Sequence, residues 1–452
     1  MSRHSAKLGT LAVLAAALGC SGSGGGDDDD GKADSDAGTL ELVGHSDLGA
    51  RGMNSAIAVA GDVVYVGSRI DNRGIAIVDV SDPAHPTVVG EIGPPHEGIA
   101  GMSSRELRVI PDLNLLVVLN LKCAIGLHGC GAGGEVENLK LFDITDRRAP
   151  VWISTYPITG TTMFLPRSPH EFFLWRDATK VLVYVTAPPS KPSLEVVDIT
   201  NPAAPTQVVQ WDISEAGAIR KGSDDILHSI AISDDGTRAY LSHQLGGLLV
   251  ADTSQLPAIT LVTPPSAALH WDPPGTLGPH SAVRAPGRDV LVATEEIYPM
   301  PFGTGCPWGH MRMVDISNPA APSVIGEYKV PENDGSLCSN PNDRITYTAH
   351  NATVTHDVAL ITWYAAGLQV VDISDPTKPV RLTELRPEPL PSVAVEDPGV
   401  GGVPIEMWSY PVIQNGLIYV VDVRNGLYIL RYHGKWQEQI ADEAFLEGNS
   451  NL

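Results

Sequence analysis

Four histidines return at one position of an internally repeated text, and they are the residues of this chain most suited to chemistry. His170 in SPHEFF, His228 in LHSIAI, His280 in PHSAVR and His350 in AHNATV each open an apolar run that reads as a β-strand. Neutral imidazole is a common ligand of transition metals. Several imidazoles brought to one point could hold a single ion of zinc, copper or iron, as an oxidoreductase or a hydrolase would require. Glu171, Glu295 and Glu296 lie close enough in the repeat to act as further ligands or to orient imidazole N–H groups. A plainer reading stands beside this one. A histidine heading a strand can bond a neighbouring backbone or a trapped water, and a repeat can copy it because it fits. The matching places in the other copies hold Asn54, Arg105 and Trp408.

The elements that must position these residues are written several times over. GLQVVDISDPTKP, ending at Pro379, appears earlier as GIAIVDVSDPAHP, LKLFDITDRRAP, LEVVDITNPAAP and MRMVDISNPAAP, with a worn copy GLLVADTSQLP and a last strand GLYILRY. Aligning Asp79, Asp143, Asp198, Asp252, Asp315, Asp372 and Arg431 gives steps of 64, 55, 54, 63, 57 and 59 residues, a near-constant period that any fold must explain. Each copy is a short β-branched run followed by Asp-x-Ser/Thr-Asp/Asn-Pro. The Asp and Ser/Thr side chains can fold onto local N–H groups, and Pro withdraws a donor from the ladder, so the chain must turn there.

The fourth copy shows a whole unit: strands at His228–Ser233, Arg238–His243, Gly247–Asp252 and Ile259–Thr263. Four antiparallel strands per unit, repeated seven times, predict an all-β, seven-bladed β-propeller. The units centre on 53–92, 102–156, 169–213, 227–263, 279–330, 348–386 and 407–432. The last lacks a fourth strand. Residues 39–46 match the fourth-strand texts elsewhere, so they are expected to complete it and close the ring across 39–432. The 433–452 segment reads as a polar tail with at most a short helix. These copies resemble the LVIVD repeat of bacterial extracellular and surface proteins, a resemblance that implies a propeller and leaves activity open. Carotenoid-cleaving oxygenases, seven-bladed propellers with an axial iron on four histidines, are similar in architecture alone, for none of their motifs is evident here.

Extra sequence falls on one rim. In a four-stranded unit, the link from second to third strand and the link to the next unit leave by the same face. Lys122–Asn138, Glu296–His310, Thr155–Ser168, Ser214–Ile226, Pro264–Gly278, Pro331–Thr346 and Pro387–Glu406 all belong to these two classes. Cys123, Cys130, Cys306 and Cys338 lie in the same loops, and disulfides are expected between Cys123 and Cys130 and between Cys306 and Cys338. Their loop closures are worth about 2.5 and about 3.7 kcal/mol in the chain-entropy model. A metal site at Cys123, His128 and Cys130 is the rival reading. Trp271, Trp308, Trp363, Trp408, Tyr298 and Tyr364 fall near this face, where they could stack on a sugar or peptide or pack a cap.

The chain opens on an address. Arg3 and Lys7 precede an apolar segment of eleven residues, Leu8–Leu18, too short to span a bilayer, which takes about 20 as a helix. Ala17-Leu18-Gly19-Cys20 resembles a lipobox, which implies removal of 1–20 and lipidation of Cys20. The stretch 21–38, SGSGGGDDDDGKADSDAG, cannot form a core and reads as a solvated tether. A formal charge of −23 without a basic run argues against a nucleic-acid partner. The expectation is an exported lipoprotein in the outer or cytoplasmic membrane, facing the periplasm or the cell surface. Its loop-rich face would bind a protein or glycan, the alternative being a metal-dependent enzyme at the histidine mouth.

Overall fold

The computed structural model describes residues 38–452 apart from 124–128, 132, 160–168, 188–191, 215–225, 272–276, 300–302, 339–344 and 401–402. The leader, Cys20 and His128 lie outside the described residues, as does the tether up to residue 37. The repeated aspartates act as their text predicts: Asp79, Asp143, Asp198, Asp252, Asp315 and Asp372 each accept the backbone N–H two residues on, at 2.7–2.9 Å. That bond bends the chain out of its third strand and sets up the return strand.

Four units form separate four-stranded antiparallel sheets whose inner strands begin at Glu171, Ile226, Ser281 and Ala352. The rest depart from that plan. Units one and two share an eight-stranded sheet, joined where Ser68 pairs with Ser104. Gly67 permits the junction, because a Cβ there would lie 2.3 Å from the Ser104 carbonyl oxygen. The 407–432 unit belongs to a five-stranded sheet in which Thr39–Ser46 lies antiparallel beside Gly426–His433, Leu42 opposite Leu430.

The fifth strand of that sheet corrects the reading of the tail. Beyond a short helix, Glu438–Ala441, Phe445–Glu447 pairs with the inner strand Val412–Gln414. The chain then crosses to unit three, where Leu174 N–H donates to the Asn449 carbonyl and Asn451 N–H to the Leu174 carbonyl, at 3.0 and 3.2 Å. An inner strand has no sheet partner on its axial side, and the tail satisfies two of these open edges. Inner strands touch in succession from unit one to unit six and from unit seven to unit one, and every large apolar cluster bridges neighbours, as where Leu107 and Val109 of unit two meet Ala56 and Ala58 of unit one. No unit buries its faces alone, so the strand ends at the axis are held by the whole array.

Candidate functional site

The four histidines converge. Ring centroids stand 4.2 Å apart from His170 to His228, 4.2 Å from His228 to His280 and 4.0 Å from His280 to His350. Each imidazole is placed by backbone bonds that follow from the repeat. The N–H groups of His170, His280 and His350 donate to the carbonyls of Thr186, Thr294 and Thr362, the residues that end the second strands, at 2.8–2.9 Å. The Thr186 hydroxyl donates to the His228 carbonyl at 2.8 Å, and Thr294 does the same to His350, so one unit fixes the next unit's histidine.

Glu296 reaches into this group. One ligand atom each from His228, His280 and Glu296 lies within 4.8 Å of the other two, and all three side chains are buried. Its carboxylate is 3.6 Å from His280 Nε2 and 3.3 Å from His350 Nε2, and it accepts the Tyr364 hydroxyl. The Tyr298 hydroxyl lies 3.3 Å from that of Tyr364, whose single proton goes to Glu296, so Tyr298 is the donor in this pair.

The His350 ring carries the most information. Its Nδ1 lies 2.6 Å from the Trp408 carbonyl, which can only accept, so Nδ1 holds the proton. In the neutral ring Nε2 is then a bare lone pair, and it faces another lone pair on Glu296. Two acceptors at that distance require a cation between them, either an added proton or a metal ion. His280 has no hydrogen-bond partner for either ring nitrogen among the described residues, and His228 has none for Nδ1. Burial pushes His228 down to about 4 and, with the neighbouring positive charges, holds His170 and His280 well below the ordinary imidazole range. Burial alone would raise Glu296, but the His350 and His280 charges outweigh it and keep the carboxyl well below its usual value. Burial thus favours the neutral form of His170, His228 and His280, the form in which imidazole ligates a metal ion.

The other carboxylates go elsewhere. Glu295 turns away from its neighbour Glu296 and pairs with Arg312 at 3.0 Å, because adjacent residues of an extended chain face opposite sides. Glu171 accepts the Tyr410 hydroxyl at 2.6 Å and the Asn449 amide at 2.8 Å, one step further along the channel. Arg105 and Trp408 join the mouth, the guanidinium lying 5.0 Å over the indole, whereas Asn54 bonds the Asp422 and Val423 carbonyls. Register shifts at Leu227/Ser229 and Ser104/Glu106 make His228 and Arg105 extra residues on β-bulges, a device that re-aims a side chain. Trp363 packs edge-on against Tyr328 and Trp271 lies under Arg312, so these two serve packing. Both disulfides are present, Cys123 with Cys130 and Cys306 with Cys338, and Cys123 and Cys130 are thereby not thiolate ligands.

Sequence reasoning missed the inner end of this channel. Arg108 pairs with Glu106 at 3.2 Å and with Glu447 of the tail at 3.1 Å, and it lies over the Phe172 and Tyr410 rings. The signal was present in SSRELRVI, where the charged Glu106 and Arg108 alternate with Leu107 and Val109 along a strand that is buried on both faces.

Comparison with known proteins agrees with this architecture. Four segments, 51–92, 189–212, 307–330 and 349–383, match the LVIVD repeat. No curated protein sequence matches the chain. Among solved structures, the Cps50 (Swd1) β-propeller domain of Myceliophteria thermophila is similar at 10% identity and a TM-score of 0.50, over 87% of this chain and 99% of that one. Chaetomium thermophilum Raptor is similar at 11% identity and a TM-score of 0.49 over 88% of this chain, which spans only 29% of the Raptor chain. The likeness to the propeller domain is one of fold.

Proposed function

We propose that this chain, an all-β LVIVD-repeat propeller, is an exported seven-bladed binding protein whose ligand site is a transition-metal centre at the channel mouth. His228, His280 and Glu296 would hold the ion, with His350 and His170 completing or flanking the set. The carrying observation is the convergence of His228, His280 and Glu296, one ligand atom of each within 4.8 Å of the other two, with both His280 ring nitrogens lacking a hydrogen-bond partner among the described residues. Bound there, the ion would act as a Lewis acid. The protein's part is to keep His170, His228 and His280 neutral by burial, hold the His228 and His350 backbones through the Thr186 and Thr294 hydroxyls, and pin Glu296 with Tyr364. Zinc, copper and iron all suit such a donor set. Seven copies, inner strands that touch in succession and the register of Thr39–Ser46 beside Gly426–His433 support a ring of seven blades closed by the N-terminal strand.

Elemental analysis of protein purified after growth with each metal tests this reading. The expected result is about one ion per chain, the stoichiometry of a single tetrahedral-type site, and its loss in the H228A/H280A double variant. A parent that stays metal-free after supplementation removes the reading.

The one-sided loops favour a second, compatible role, docking of an extracytoplasmic protein or glycan on the same rim, which the two disulfides brace. The leader supports export and a lipid anchor at Cys20 in the outer or cytoplasmic membrane. Incorporation of labelled fatty acid that disappears in Cys20→Ser checks the anchor, and incorporation that persists refutes it.

A further inference from the structure

Arg105 is a charged side chain of the mouth that the metal reading does not use. Its neighbours in kind are all balanced. Arg69 meets Asp397 and Glu406 at 3.0 and 2.7 Å, Arg108 meets Glu106 and Glu447, and Arg312 meets Glu295. Arg105 makes no ion pair or hydrogen bond among the described residues, and its Nε is out of reach of solvent. The bulge at Ser104/Glu106 aims it across the Trp408 ring, which itself stands 5.6 Å from the His350 ring.

Charge balance then sets the requirement. Among the described residues Glu296 is the carboxylate paired with the histidines, and His350, His280 and Tyr364 already engage it, while nearby Glu106 is taken up by Arg108. A divalent ion together with the guanidinium leaves the mouth with two excess positive charges, in a place where unpaired charge is expensive. The Trp408 indole, with Arg105 5.0 Å and Arg69 5.4 Å over its ring, and the Tyr298–Tyr364 pair are the flat aromatic walls beside this charge. A planar anion suits such walls better than a tetrahedral one, and the guanidinium fork is matched to carboxylate geometry.

We propose that the mouth takes a small organic carboxylate, clamped by Arg105 and lying flat between Trp408 and the tyrosines, with one oxygen directed to the metal ion. This rests on the metal-centred reading above and adds the ligand class and a residue that selects it. Arg105 is a binding residue here and is outside the metal's ligand set, so the two readings can fail separately.

The test uses the full processed protein loaded with cobalt(II), titrated with benzoate, acetate and inorganic phosphate at constant ionic strength while the visible cobalt bands are followed. The parent is expected to show a saturable spectral change with the carboxylates, benzoate the tighter. Arg105→Gln should keep its cobalt content and lose at least about tenfold in carboxylate affinity, and Arg105→Lys should recover part of it. Equal affinity in parent and Arg105→Gln, or a parent that answers phosphate but not benzoate, overturns the proposal and leaves the metal centre standing. Should the parent bind no metal, calorimetry with benzoate on that same protein decides the rest: binding lost in Arg105→Gln retains the clamp, and no binding ends it.

Discussion

The two ends of the central channel hold similar residues in opposite states. At the inner end, Arg108, Glu106, Glu171, Tyr410, Glu447 and Asn449 are buried and tied to one another, each charge facing a counter-charge or a hydrogen-bond donor. At the mouth, among the described residues, imidazole nitrogens of His228 and His280 lack hydrogen-bond partners, and Arg105 makes no ion pair or hydrogen bond. A folded chain satisfies its buried polar groups wherever nothing else is required of them. The inner end pairs its charges at the axis even though Arg108 Nη2 has no hydrogen-bond partner among the described residues, and the unpaired guanidinium and imidazoles of the mouth are therefore read as room for a ligand.

The contrast predicts that damage at the two ends differs in kind. The largest expected effect is at the inner end. Arg108→Met leaves Glu106 and Glu447 buried without their cation and should cost about 3–5 kcal/mol of stability. Thermal or urea unfolding reads this, and the folded fraction should keep its metal. At the mouth, His280→Ala should abolish metal uptake while lowering the stability of the metal-free protein by no more than about 1–2 kcal/mol, since no hydrogen bond is lost. A large stability loss in that variant would assign His280 to the scaffold. Tyr364→Phe should change stability by about 1 kcal/mol and weaken metal affinity about 10–100-fold by freeing Glu296, as measured by competition with a chelator.

The smallest effect concerns the tail. Burial raises Glu447 to about 7, against which the Arg108 charge works; Glu106 and Ser450 are the other groups that face it. An acid with a raised pKa in the folded state binds its proton more tightly there than when unfolded. Stability is therefore greatest below the ordinary carboxyl value and falls as pH rises from about 4.5 to about 7, then levels off. Hydrogen exchange at the Asn451 and Leu174 amides should quicken over that range beyond the intrinsic pH effect, and Glu447→Gln should remove the excess.

What was legible in the sequence is what local chemistry dictates. The Asp79 turn and its copies needed only neighbours two residues away, and the histidine position followed from the repeat phase. What was hidden depends on distant partners. Nothing in EAFLEGNSNL announces that Asn449 will pair with the open edge at Leu174, 275 residues earlier. The bulges that aim His228 and Arg105 arise from the register against their second strands, and register is a property of the pair. Glu295 and Glu296 are equal as text, and only the direction of the chain at the strand end separates the scaffold carboxylate from the one in the mouth.

Anomalous X-ray scattering at the absorption edge of the metal found by elemental analysis tests the central claim most directly. The account predicts one strong peak among His228 and His280 nitrogens and a Glu296 oxygen, at about 2.0–2.2 Å from each. A metal-loaded crystal whose peak lies elsewhere, or whose four imidazoles surround only ordered water, would contradict it.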